Sequence, residues 1–299
     1  MKLPVITIKQ LLEAGVHLGH KTFRWNPKMS KYIFGSKNSI HIIDLVQTLE
    51  MANAALIEIH KCISSGGKIL FVSTKKQAAE TIANLAKETS QYYVNHRWLG
   101  GMLTNWKTIS NSIKRYKKLT LDLQSENTGF TKKENLKMGI QRDKLERSLG
   151  GIAEMKKIPN MIFIVDTNVE DLAVKEAIRL NIPIVAIVDT NSDPAGINFP
   201  IPGNDDARRA INLYCDLIKQ TILDAQKNIS PTVQEEIEKN KIKNEKKDKK
   251  GLKTEKKKDQ KIKNEAVTIA PKKEKTKTVK KISKSILSKV KELASRKTK

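Results

Sequence analysis

Four short apolar runs limit what this chain can fold into more than any other feature: KILFVS (Lys68 to Ser73), YYVN (Tyr92 to Asn95), MIFIVD (Met161 to Asp166) and IVAIVD (Ile184 to Asp189). Each is too short for a helix and shows no alternation of polar and apolar residues, as expected of a strand buried on both faces. Between and around them, apolar residues recur three and four apart. This spacing predicts helices over KKQAAETIANLAKE, over NVEDLAVKEAIRLN, from Asp44 to Ser64 and from Asp205 to Lys227. TIKQLLEAG reads as a short opening helix with Thr7 as its cap and Gly15 as its stop, and Asn168 with Asp171 marks another helix start. Strands and helices in alternation predict an α/β domain, a parallel sheet covered by helices.

One connection does not fit a simple crossover, which needs a dozen or more residues. From Tyr93 to Met161 the chain has helical periodicity over 103–123, with Ile109, Ile113, Tyr116 and Leu119 on one stripe. It has it again over 132–156, with Leu136, Ile140, Leu145, Leu149 and Ile152, and the polar stretch Ser125 to Thr131 lies between. The pattern predicts an antiparallel helical hairpin inserted at 103–156, basic on its outer side.

Charge defines the second boundary. The whole chain carries a formal +25, of which residues 229–299 hold +15 and residues 1–228 hold +10. An excess of this size is the electrostatic footprint of a polyanionic partner. The segment 229–299 has no Phe, Trp, Tyr or His, so it has too little apolar surface to offset the entropy of ordering, and it reads as a Lys-rich disordered tail. Within it, Ile282, Ile286, Leu287, Val290 and Leu293 have the spacing of a short basic amphipathic helix. Cys62 and Cys215 are too few for a disulfide framework or a thiolate metal site, which points to a reducing cytosol. The N-terminus has no signal-peptide pattern and no apolar run approaches the roughly twenty residues of a membrane span.

Motifs for catalysis are sparse. Gly66 and Gly67 precede a strand rather than follow it and read as a turn; neither phosphate-binding glycine motif occurs. STKK (Ser73 to Lys76) ends a strand where a helix begins, a place that suits a phosphate of either a nucleotide or an RNA. His17 and His20 in HLGH lack the neighbours that would complete a metal site. The loop DTNSDPAGINFPIPGNDD offers Asp189, Asp193, Asp205 and Asp206 to a hard cation, or is held by Asn and Asp turn hydrogen bonds, with Asn204 or Asp205 capping the last helix. No cofactor and no small-molecule substrate are implied.

The densest segment is NHRWLGGMLTNWKTISNSIKRYKK, Asn95 to Lys118, with two of the three tryptophans and a Gly-Gly pair among many cations. Together with IKQLLEAGVHLGHKTFRWNPKM, with LGGI before IPNMIFIVD, and with IPIVAIVDTNSDPAGINFPIPGNDDARRAI, it resembles the bacterial small-subunit ribosomal proteins of the S-two family, in order over about residues 3–227. The resemblance implies a flavodoxin-like three-layer α/β/α sheet with an inserted coiled-coil hairpin. It also implies a structural, non-enzymatic role on small-subunit ribosomal RNA across head and body, supporting the large messenger-binding ribosomal protein, among cytoplasmic ribosomes and away from membranes.

On that reading the RNA-facing candidates are Lys21, Arg24, Trp25, Lys28 and Lys31 near the start, Arg97 and Lys107 in the dense segment, and Lys114, Arg115, Lys117, Lys118, Lys132, Lys133 and Arg142 on the hairpin. Trp98 and Trp106 either anchor the hairpin base or stack on bases, and Gly100 and Gly101 allow a sharp turn. A nucleotide-dependent enzyme and a free-standing RNA-binding regulator are the competing readings. The family's usual ending is short and often acidic, so the basic tail departs from it.

Overall fold

A computed structural model describes residues 4–124 and 130–227. The expected tail at 229–299, with its helix from Ile282 to Leu293, and most of the polar connection Ser125 to Thr131 lie outside the described residues.

The chain opens with α1 (Ile8–Glu13), held by a capping box in which the Thr7 hydroxyl accepts from Gln10 N–H and the Gln10 amide oxygen accepts from Thr7 N–H. Three short strands follow, β1 (Leu18–Lys21), β2 (Ile33–Lys37) and β3 (Ile40–Ile43), forming an antiparallel sheet in the order β1-β3-β2. The main body then runs α2 (Leu45–Ser64), β4 (Ile69–Val72), α3 (Lys76–Glu88), β5 (Tyr92–Val94), α4 (Trp106–Gln124), α5 (Lys132–Leu149), β6 (Met161–Ile164), α6 (Asp171–Arg179), β7 (Ile184–Val188), β8 (Phe199–Pro202) and α7 (Arg208–Lys227). Its five strands pair in parallel in the order β5-β4-β6-β7-β8. Relabelled by position in this sheet, that is 2-1-3-4-5, an order consistent with a flavodoxin-like fold.

Alternation along the strands builds two cores. Ile69, Phe71, Met161, Phe163, Val165, Val185 and Ile187 point into one layer against α2, α3 and α7, where the Phe71 and Phe163 rings meet edge-on at 5.6 Å. The free thiols Cys62 and Cys215 pack in this layer. Leu70, Val72, Ile162, Ile164, Ile184, Ala186 and Val188 point the other way, against α6, the lower turns of α4 and α5, the segment Trp98 to Leu103, and Met29 and Tyr32. Each large side chain so enclosed contributes about 1.5–3 kcal/mol by leaving water.

Three sequence expectations change. The segment after α1, for which the sequence predicts no element, contains the small sheet; its strands are short, its ladders carry register shifts, and no period-two pattern survives. The long Asp189 to Asp206 loop contains β8. Gly203 N–H bonds the Val188 carbonyl, so by alternation the Pro200 and Pro202 nitrogens face the open edge and cost no ladder bond. The outward Pro202 carbonyl accepts from the buried Thr48 hydroxyl at 2.7 Å. The second hairpin helix stops at Leu149 and passes into a single 3₁₀ turn, Gly150–Ile152, where a Cβ on Gly151 would lie 2.0 Å from the Tyr93 carbonyl oxygen.

Candidate nucleic-acid interface

Among the described residues, charge is concentrated in two regions, and they behave oppositely. At the carboxyl ends of the parallel strands, where open α/β sheets often bind ligands, the crevice is filled by the chain's own side chains. Lys75 Nζ lies 2.7 Å from Asp166, 2.8 Å from Asp205 and 2.7 Å from Asp206. His20 bridges Asp189 at 3.0 Å and Asp206 at 3.4 Å. Thr74 N–H, in the STKK segment read as an anion cradle, donates to the Glu170 carboxylate at 2.6 Å. Asp193, the remaining carboxylate of that loop, pairs with Lys28 at 2.6 Å. Among the described residues no group of three or more ligating side chains is arranged for a metal; the ammonium of Lys75 occupies the centre of the carboxylates instead.

The electrostatics follow from this packing. Burial pushes Asp205 up to about 7, reinforced by Asp166 and Asp189 and only partly countered by Lys75. Burial also works against the Lys75 charge, but Asp205 first and then Asp166 and Asp206 outweigh it and hold the ammonium above its ordinary value. The hydrogen bond that His20 Nδ1 donates to the Asp189 carboxylate raises the His20 pKa, against some desolvation. Asn204, not Asp205, holds the turn that leads into α7, its Oδ1 accepting from Asp206 N–H at 2.8 Å and Ala207 N–H at 2.9 Å just before the helix begins. Asp166, rather than Asn168, turns the chain before α6, accepting from Asn168 N–H at 2.8 Å.

The second region faces solvent. Lys21, Arg24, Lys28 and Lys31 are exposed on β1 and on the 3₁₀ turns Thr22–Arg24 and Pro27–Tyr32. Trp25 is 39% exposed and leans on His41 with ring centroids 5.4 Å apart. Arg97 is exposed beside the hairpin base, and Lys107, Lys114, Arg115, Lys117 and Lys118 on α4 and Lys132 and Lys133 on α5 are exposed as well. Lys132 and Lys133 sit in the first turn of α5, directly after its cap Thr131, where the helix dipole disfavours cations. Three candidates are already engaged: Lys28 by Asp193, Arg142, which bonds Asp143 at 2.6 and 2.9 Å, and Arg115, which donates to Gln141 Oε1 at 3.3 Å.

One carboxylate organises the hairpin base. Glu176, on α6, accepts from Trp98 Nε1 at 3.1 Å, Gly101 N–H at 2.8 Å, Leu103 N–H at 2.9 Å, and Thr104 N–H and hydroxyl at 3.0 and 3.1 Å. Burial alone would raise its pKa, yet these donors, Thr104 N–H foremost, bring it below the ordinary value. Of the glycine pair only Gly101 requires a glycine, at φ +81°, and the turn it makes delivers its own N–H to Glu176. Trp98 is buried and Trp106 half-buried against the same core, so both anchor the hairpin.

The sequence reading missed Glu176, the inward reach of Lys75 and three exposed residues of the small sheet region, Phe23, Phe34 and Lys37. A signal for that sheet exists: Asn38 and Ser39, at φ 53° and 59°, form the kind of tight hairpin turn that joins IFGSK to IHII. The turn that carries Lys28 and Lys31 and the base of the hairpin cover the same face of the parallel sheet, since Met29 and Tyr32 share one core with Trp98, Ile109, Ile113 and Leu149.

A family model described as ribosomal protein S2 matches residues 11–225. Among curated proteins, the small ribosomal subunit protein uS2 of Sinorhizobium medicae (strain WSM419) is 59% identical over 224 residues, covering 75% of this chain and 88% of that protein. The protein of the same name from Parvibaculum lavamentivorans is 55% identical over 224 residues with the same coverage, and that of Azorhizobium caulinodans is 58% identical over 225 residues, covering 75% of this chain and 68% of its own.

Proposed function

From the premise that this chain belongs to the ribosomal protein S2 family, we propose that it is a structural constituent of the small ribosomal subunit, bound to small-subunit ribosomal RNA across head and body. The family match over residues 11–225 carries this reading. Geometry supports it: exposed cations stand on the small sheet and its turns, at Arg97 and along helices α4 and α5, and the turn Pro27–Tyr32 and the lower turns of those helices cover one face of the parallel sheet. A polyanion laid along that side would meet Lys21, Arg24, Lys31, Arg97, Lys107 and the hairpin lysines together. On the proposed division of the chain, residues 1–228 form the RNA-binding domain with 103–156 as its arm, and 229–299 add a basic tail. Docking of the large messenger-binding protein beside this domain belongs to the same proposal.

The role is binding, not catalysis. Ribosomal protein families are structural, and the strand-end crevice that would serve a nucleotide is closed by Lys75 and its carboxylates. Its place of work is the cytoplasmic ribosome; no helix among the described residues is long and apolar enough to cross a membrane. Sedimentation of a tagged copy from cell lysate tests the proposal. Stoichiometric travel with the small subunit at moderate salt is the expected result, and a protein left at the top of the gradient overturns it.

A further inference from the structure

Beyond phosphate contact, the small sheet presents an aromatic platform that the family match does not account for. Phe23 is 73% exposed, and the Arg24 guanidinium lies over its ring at 5.5 Å from the centroid. A phenylalanine held this far into solvent gains nothing from the core, and the cation on one side leaves the ring edge and opposite face open. Lys21 and Lys37 both pair with Ile40, from opposite sides, so their side chains leave the same face of the sheet, two strand spacings or about 10 Å apart. Thr22 N–H bonds the Ser39 carbonyl, tying the residue before Phe23 to the hairpin turn that ends this lysine row. Among the described residues none of Lys21, Arg24, Lys31 and Lys37 makes an ion pair with a carboxylate. Unneutralised cations carried on the same small sheet and turn as an exposed aromatic, one of them over its ring, suit a chain that carries both phosphates and flat bases.

We propose that Phe23, framed by Lys21, Arg24 and Lys37, stacks an unpaired base of a single-stranded RNA segment while the three cations hold the flanking phosphates. Duplex RNA buries its base faces and offers only backbone, so the platform distinguishes single strands from helices. The inference rests on the ribosomal RNA reading and sharpens it to one subsite. Phe34 is also exposed, at 80%, but no cation among the described residues lies over its ring, and it serves as the internal comparison.

The test uses the full chain and a thiouridine-bearing oligonucleotide of about ten nucleotides, single-stranded or annealed to its complement. Photocrosslinked peptides are then mapped by mass spectrometry. The single strand is expected to crosslink to the peptide containing Phe23 and the duplex to do so far more weakly. Phe23→Ala should lower that yield about tenfold, Phe23→Tyr should retain it, and Phe34→Ala should leave it within about twofold. Equal yields from single strand and duplex, or a yield indifferent to Phe23→Ala, overturn the platform. If the crosslinks instead map to Arg97 and the hairpin, RNA binding stands and this patch has a protein partner or none. If no crosslink forms within residues 1–228, the RNA reading of the domain falls with it.

Discussion

Lys75 shows how far a single side chain can redirect a site. In sequence it belongs to a STKK segment suited to an anion; in the fold its ammonium turns inward and becomes the cation for Asp166, Asp205 and Asp206. Removing it as Lys75→Met strands buried carboxylates and should cost about 3–5 kcal/mol in denaturant unfolding. Asp205 carries the pH dependence. Its folded pKa, about 7, lies above its unfolded value, so its contribution to stability is complete below about 4 and is lost as pH rises through 7. Asp205→Asn keeps an oxygen for Lys75 but cannot titrate. Thermal melts should therefore show the wild type losing stability from pH 5 to pH 8 more steeply than the variant; parallel profiles would locate the effect elsewhere. The acidic loop was legible in the sequence as a cluster of carboxylates. Which cation they hold was not, because Lys75 is some 130 residues away and only the parallel order of the strands brings the two together.

At the scale of elements, legibility tracks burial. The strands β4, β6 and β7 are enclosed on both faces and announce themselves as unbroken apolar runs. The edge strand β8, with two prolines, and the half-exposed strands β1 and β2 do not, since packing on one side and bulged ladders leave no period to read. The hairpin was legible from its two apolar stripes, but only its base is enclosed: Ile109, Ile113 and Leu149 are buried, whereas Leu136 and Ile140 are 67% and 49% exposed. Its anchorage therefore depends on the base, where Glu176 with its five donors ties the segment before α4 to α6 by hydrogen bonds, beside the apolar contacts of Ala173, Val174 and Ala177 in the shared core. Glu176→Gln places an amide donor against backbone donors. It should cost about 1.5–3 kcal/mol in urea unfolding and speed hydrogen exchange in the first turns of α4 more than in the sheet. Because the folded carboxyl sits below its ordinary value, this contribution is present above the ordinary carboxylate range and disappears as pH falls through the folded pKa, so wild type and variant should converge in acid.

For the molecule as a whole, the charge divides into two sources with different physics. The +15 of residues 229–299 is spread along a segment without aromatic residues, whereas the +10 of residues 1–228 includes cations fixed on β1, its following turns and the hairpin. On the proposed RNA contact both would release counterions, and each phosphate neutralised would add about 0.7–0.9 to the slope of log K against log salt. The cations on the described elements stand at fixed positions, which on the proposed function would be matched to folded ribosomal RNA. Deleting residues 229–299 should thus flatten the salt dependence of binding to a generic RNA while leaving the truncated protein on the small subunit in moderate-salt sedimentation. Replacing Lys21, Arg24 and Lys31 together should do the reverse, reducing the slope by only about 2 yet releasing the protein from the subunit at lower salt. If the truncated chain leaves the subunit while the triple variant stays, the tail provides the attachment and the folded face only steers it. An unchanged slope after the deletion would instead mean that the +15 never meets phosphate, and the basic tail would need another acidic partner.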